Sequence, residues 1–69
     1  MDVQELTKRF TYHAPQGDQA PRYEALRQGG LALARLWADL CPESRELSVA
    51  LTHLETAAMW ANAAIARNE

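Results

Sequence analysis

The stretch that decides the fold is LARLWADLCPESRELSVALTHL, residues 33–54, in which two segments rich in apolar residues flank a short break. Cys41 precedes Pro42, and a residue before a proline disfavours helical backbone geometry. Pro42, Glu43 and Glu46 suit the first turn of a new helix, where a proline loses no hydrogen bond and acids lie near the positive end. A break this short between two long segments predicts two antiparallel helices that form a hairpin.

Both segments repeat apolar or small residues with the period of a heptad seam. The first helix of the hairpin is predicted at residues 19–40, with the seam Tyr23, Leu26, Gly30, Leu33, Trp37 and Leu40. The second is predicted at residues 42–67, with the seam Leu47, Leu51, Leu54, Ala58, Ala61, Ile65 and Asn68. Other apolar residues flank the seams, among them Leu31, Val49, Met59 and Trp60. Two helices cannot cover faces this wide, so we expect the chain to form a homo-oligomer.

A shorter helix is predicted at residues 2–10, ahead of the hairpin. Asp2 is a suitable N-cap, and apolar residues share one face of the helix: Val3, Leu6 and Phe10. The connection over residues 11–18 contains residues typical of turns and helix starts: Pro15, Gly17 and Asp18. Because no run of β-branched residues indicates a strand, the fold class is all-α, and residues 1–69 are expected to form one domain.

Composition excludes several classes of protein. The chain has 69 residues and a single cysteine, Cys41, so no internal disulfide can stabilise it. No Cys/His cluster has metal-ligand spacing, so we expect neither a metal nor another cofactor, and oligomerisation remains the usual means of stabilisation. A net charge of −2 disfavours binding to DNA or long RNA. No segment is typical of a membrane span or a signal peptide, and the free cysteine is consistent with the cytosol.

No pattern indicates catalysis. His13 and His53 lie far apart in the sequence, and no glycine-rich loop follows a strand, so an enzyme is not expected. The remaining aromatic and polar residues suit a nucleotide ligand, because rings stack on bases and arginines bind phosphates. These residues are Phe10, Tyr12, His13, Pro15, Arg22, Arg27, Asn62 and Arg67.

Simpler explanations of these residues remain open. The Tyr12 ring would otherwise cover the hairpin, Arg22 would be a solvated helix residue, and Arg67 would stabilise the negative end of its helix. Gly29 and Gly30 indicate close packing of helices or the approach of a ligand to the backbone. Cys41, placed before a proline at a helix end, is expected to be structural.

Four stretches, taken in order, resemble a known family. They are FTYHAP at 10–15, RYEALRQGGLALA at 22–34, CPES at 41–44 and ANAAIARN at 61–68. Together they resemble the hairpin domain shared by phage anti-CBASS and anti-Thoeris cyclic-nucleotide sponges. This resemblance implies a homo-oligomer, commonly a hexamer, that binds cyclic oligonucleotide messengers of bacterial immunity without cleaving them. Such a protein blocks effector activation in the cytoplasm of the infected bacterial host.

The resemblance also implies site residues. For a cyclic dinucleotide, Tyr12 matches the tyrosine that stacks on a base, and Arg27 replaces a basic residue, often lysine, that contacts phosphate. The same motif includes Phe10, His13 and Pro15. For a separate cyclic trinucleotide site the corresponding residues are Arg67, Gly29 and Gly30, and some members carry a hydroxyl side chain at the glycine positions. The alternative is a helical hairpin that oligomerises or docks on a protein and binds no nucleotide.

Overall fold

The computed structural model describes residues 2–69, and over that range it contains three helices and no strand. The helices are α1 (Val3–Phe10), α2 (Gln19–Leu40) and α3 (Arg45–Asn68). The start of α2 lies beside the end of α3, so the two long helices run antiparallel. The all-α fold class and the long helical hairpin are therefore confirmed.

The first helix begins where the sequence places its cap. Asp2 has an extended backbone, and its Oδ1 accepts a hydrogen bond from the Gln4 backbone N–H at 3.0 Å. The helix ends at Phe10, because Thr11 returns to an extended conformation. Asp2 thus satisfies one of the N–H groups that have no partner within the helix.

The start of α2 depends on a glycine turn. Gly17 has a φ of +55°, a left-handed conformation in which a side chain is strained. Asp18 follows as the residue before the helix, yet its carboxylate makes no capping hydrogen bond. Instead, the Gln16 carbonyl accepts a hydrogen bond from the Gln19 N–H at 2.9 Å. The first helical residue is Gln19, as the sequence predicts.

The start of α3 corrects the sequence prediction. The helix begins at Arg45, not at residue 42, because Ser44 is its N-cap: the Ser44 Oγ accepts from the Leu47 N–H at 3.1 Å. Pro42 therefore lies in the connection and not in the first turn of the helix. Cys41 closes α2, since its N–H donates to the Trp37 carbonyl at 2.9 Å.

The hairpin is a single layer of helices. The molecule is flat, with extents of 45 × 30 × 13 Å. No apolar side chain between residues 2 and 69 is fully buried. This chain alone has half-buried contacts between two helices in place of an enclosed core.

The seam on α2 differs from the predicted heptad. Ala34 lies at the half-buried interface, whereas Leu33 is 37% exposed and Leu40 is 72% exposed. A straight helix has about 3.6 residues per turn, so its buried stripe drifts away from a strict heptad. On α3 the predicted seam is half-buried from Leu47 to Ile65, and Asn68 is exposed. Within residues 2–69 no helix is both long and apolar enough to cross a bilayer.

Candidate ligand-binding site

The segment that we call the ring turn, residues 10–15, presents two uncovered aromatic rings. Phe10 is 86% exposed and Tyr12 is 83% exposed. The alternative in which Tyr12 covers its own hairpin is therefore wrong for the single chain. Both rings are accessible for stacking on a planar ligand or for contact with another protein surface.

His13 and Pro15 shape this turn. The His13 Nε2 lies 2.9 Å from the Lys8 carbonyl oxygen, and because a carbonyl only accepts, Nε2 carries the proton and donates. This bond ties the turn to the last turn of α1. Pro15 is exposed and fixes its own φ, which limits the conformations of the segment after the rings.

Arg27 lies on the exposed surface of α2 within an ion pair. Its Nη2 donates to Glu24 Oε2, one helical turn earlier, and Gln28 Nε2 donates to the other Glu24 oxygen at 2.9 Å. The Gln28 amide, and after it the Arg27 guanidinium, lower the pKa of Glu24 below its usual value of 4.5. Glu24 is therefore ionised at neutral pH, and an anionic ligand would compete with it for Arg27.

An open groove of about 440 Å³ runs between α2 and α3 beside Arg27. Its floor is apolar: Leu26, Gly30, Leu31, Ala34, Leu51, Leu54 and Ala58. Thr52 and Glu55 supply polar groups from α3. No residue of the ring turn lines this groove, so a single chain does not bring Tyr12 and Arg27 together there.

Close helix packing at the two adjacent glycines is absent from the single chain. A Cβ added at Gly29 or Gly30 would meet no atom within 4 Å. Both positions face open space, so this prediction is wrong for the hairpin itself. The open surface remains accessible to a ligand or to a second copy of the chain.

Arg67 makes a contact that the sequence analysis missed. Its guanidinium carbon lies 5.6 Å from the centroid of the Trp60 ring, a cation–π geometry. Thr56 and Met59 complete a shallow pocket with them on α3. The sequence spacing could have predicted this contact, because Trp60 and Arg67 are seven residues apart and so lie on one helical face.

Two other polar residues are engaged within the chain. Arg22 is not simply solvated, since it pairs with Glu69 at the other end of the sequence. The Asn62 Nδ2 donates to the Ala58 carbonyl, one turn earlier in α3, at 3.0 Å. One atom of each side chain, the Arg22 Nε and the Asn62 Oδ1, is nonetheless buried without a hydrogen-bond partner.

A family model described as the Acb2/Tad1 hairpin domain matches residues 1–66. The chain belongs to the Acb2/Tad1 hairpin-domain family. The resemblance to the anti-CBASS and anti-Thoeris sponges is thereby confirmed. No curated protein and no solved structure matches the chain. The Acb2/Tad1 match includes Tyr12 and Arg27, whereas Arg67 lies one residue beyond it.

Proposed function

We propose that this protein binds cyclic dinucleotide messengers of bacterial immune signalling and sequesters them without cleavage. The effector that such a messenger activates then stays off in the cytoplasm of an infected host. The observation that carries this proposal is the Acb2/Tad1 hairpin-domain match over residues 1–66, because that domain is shared by sponge proteins. The same family membership supports binding without catalysis.

The surface chemistry around the ring turn supports a nucleotide ligand. In this proposal Tyr12 stacks on a base, and its exposure leaves both ring faces accessible. Arg27 donates to a phosphate through a planar fork that suits bidentate contacts, in place of its present bond to Glu24. His13 and Pro15 hold the turn, and Phe10 supplies a second ring beside it.

Homo-oligomerisation is part of the proposal, and the exposed area supports it. The chain exposes 5503 Å², whereas a globular monomer of 7.7 kDa exposes about 4300 Å². The excess, about 1200 Å², is larger than the ~800 Å² that each partner buries in a standard interface. The radius of gyration is 15.2 Å, against about 11 Å for a compact chain of this length.

The family favours a hexamer. An assembly would also explain how Tyr12 and Arg27 can contribute to one pocket, although a single chain does not bring them together. Tyr12 does not line the groove beside Arg27 within one copy. In the proposed pocket these residues come from neighbouring copies, so two-fold symmetry places equivalent groups on both halves of a dinucleotide.

A second site for cyclic trinucleotides is a further part of the proposal. Arg67 lies over Trp60 on the exposed face of α3, which combines a cation and an aromatic surface. Gly29 and Gly30 leave open space on α2 but supply no hydroxyl group. We therefore expect weaker binding of trinucleotides than of dinucleotides.

Calorimetry against a panel of cyclic di- and trinucleotides tests the proposed function. Tight binding is expected, and the ligand recovered after heating the complex should be intact by mass spectrometry. A cleaved ligand would exclude a sponge. An oligomer that binds no cyclic nucleotide, and whose melting temperature none of them raises, would favour the alternative of an interaction module; a ligand at 100 times its Kd adds about 2.7 kcal/mol per site.

A further inference from the structure

Three hydrogen bonds join the start of α2 to the residue that follows α3, and all of them are accepted by the Glu69 carboxylate. Arg22 Nη1 donates to Oε2 at 3.0 Å, and Arg22 Nη2 donates to Oε1. Gln19 Nε2 donates to Oε1 at 3.3 Å. Between residues 2 and 69, these are the only side-chain hydrogen bonds that join residues more than five positions apart. We call Gln19, Arg22 and Glu69 the clasp.

The clasp extends into the connection that follows the ring turn. The Gln19 Nε2 is directed at Glu69, so the Oε1 of the same carboxamide faces Gln16. The Gln16 backbone N–H donates to this Oε1 at 3.0 Å. Gln16 returns a bond, because its carbonyl accepts from the Gln19 N–H at 2.9 Å. Gln19 is also the one residue between positions 2 and 69 that is buried, at 7% exposure. The carboxamide is thus oriented by partners on both sides.

We propose that the clasp is a positioning device, which sets the direction in which the ring turn leaves the hairpin. The bond between His13 and Lys8 ties the turn to α1, but it does not reach the hairpin. The link through Gln16 and Gln19 does. Arg22 and Glu69 are each about 40% exposed, so their pair adds little stability. Its bidentate geometry instead specifies orientation.

The consequence for binding rests on the proposed function. If Tyr12 belongs to the ligand pocket, the clasp raises the fraction of molecules in which Tyr12 is correctly placed. Because only those molecules bind, the apparent affinity falls in proportion as that fraction falls. Glu69 reaches the turn only through Gln19 and Gln16. Its replacement should therefore change the affinity although Glu69 does not contact the ligand.

Hydrogen exchange at the Gln16 amide, followed by NMR, tests the clasp without any ligand. In Glu69→Ala the Gln19 carboxamide loses its fixed partner, so the Gln16 amide should exchange severalfold faster. Glu43→Ala is the matched control, since it removes the same charge from an exposed residue with no ion pair among residues 2–69. Glu69→Gln keeps an oxygen that accepts from Gln19 and should restore most of the protection. Equal exchange in Glu69→Ala and Glu43→Ala would overturn the proposal.

Calorimetry with a cyclic dinucleotide on the same variants tests the consequence. We expect Glu69→Ala to bind about fivefold more weakly and Glu43→Ala to bind like the wild type, with unchanged helix content and assembly size. Unchanged affinity in Glu69→Ala, despite faster exchange at Gln16, would mean that the clasp does not position the pocket. If the wild type binds no dinucleotide, the proposed function fails, and the exchange measurement still decides whether the clasp holds the turn.

Discussion

The two regions of this molecule, the hairpin of α2 and α3 and the N-terminal part formed by α1 and the ring turn, differ in what supports them. The long helices contact each other along a half-buried seam. The eight residues of α1 have the most strongly segregated apolar face of the three helices, yet none of them is buried. A helix this short is marginal in water without packing. The region that carries Tyr12 is therefore the one that most needs a partner.

The first prediction tests whether the apolar face of α1 is needed for assembly. Leu6→Glu should disrupt the proposed oligomer, because it places a charge on the apolar face of α1, which we expect another copy of the chain to cover. Native mass spectrometry at micromolar concentration should show a hexamer for the wild type and smaller species for the variant. Dinucleotide binding should be lost with the assembly.

Gln4→Glu is the matched control for this prediction, since it adds the same charge to an exposed position away from the apolar face of α1. It should leave the assembly intact. A wild type that is monomeric at these concentrations would contradict both the oligomer and any pocket shared between copies.

The second prediction removes one group from each region. Tyr12→Ala should weaken dinucleotide binding at least tenfold, because stacking on an aromatic ring contributes about 1–3 kcal/mol. Arg27→Ala should do the same, since a charge-assisted hydrogen bond contributes about 1.5–3 kcal/mol. Both should leave the oligomer intact in light scattering, and calorimetry measures the affinities.

Two variants sharpen this test. Tyr12→Phe keeps the ring and should bind nearly as well as the wild type. Arg35→Ala removes an exposed arginine of α2 that makes no ion pair within residues 2–69, and it should also bind normally. Affinities within about twofold of the wild type for both Tyr12→Ala and Arg27→Ala would place the pocket elsewhere, since 1 kcal/mol already corresponds to about fivefold.

The sequence predicted the hairpin well because local rules determine it. Pro42 ends one helix, the seam spacing pairs two long segments, and Asp2 caps α1 as expected. The sequence prediction failed where neighbouring residues suit the same role. The helix α3 begins at Arg45, after the Ser44 cap, and not at Pro42, and Ala34 is more buried than Leu33 at the interface. The pair of Arg22 with Glu69 is 47 residues apart in sequence, and no periodicity indicates it. For the site, Tyr12 and Arg27 stay predictions: a single chain does not bring them together in the groove beside Arg27, and no sequence pattern specifies how copies of the chain would pack.

The third prediction concerns the acid that holds Arg27. Glu24→Gln should strengthen dinucleotide binding about threefold, because the phosphate no longer competes with a carboxylate for the guanidinium. The lowered pKa of Glu24 also makes the stability of the folded chain depend on pH. The pKa of Glu24 is lowered in the folded state, so its small stabilising effect is present above 4.5 and is lost as the pH falls through the lowered value.

Calorimetry on Glu24→Gln at neutral pH measures this effect, and Glu43→Gln controls for the change in net charge. If Glu24→Gln binds more weakly than its control, Glu24 orients Arg27 for the ligand and does not compete with it.

The last prediction concerns Arg67, for which the expected effect on dinucleotides is the smallest. A ring of two nucleotides matches a two-fold axis and a ring of three matches a three-fold axis, so the two ligands need different sets of equivalent groups. Arg67 lies over Trp60 on α3, outside the groove beside Arg27. Arg67→Ala should therefore leave dinucleotide affinity nearly unchanged and abolish any trinucleotide binding. Trp60→Ala should have the same pattern if the cation–π pair acts as one unit. Titration of both ligands on Arg67→Ala decides the matter, because an equal loss for both would mean that the sites are not separate.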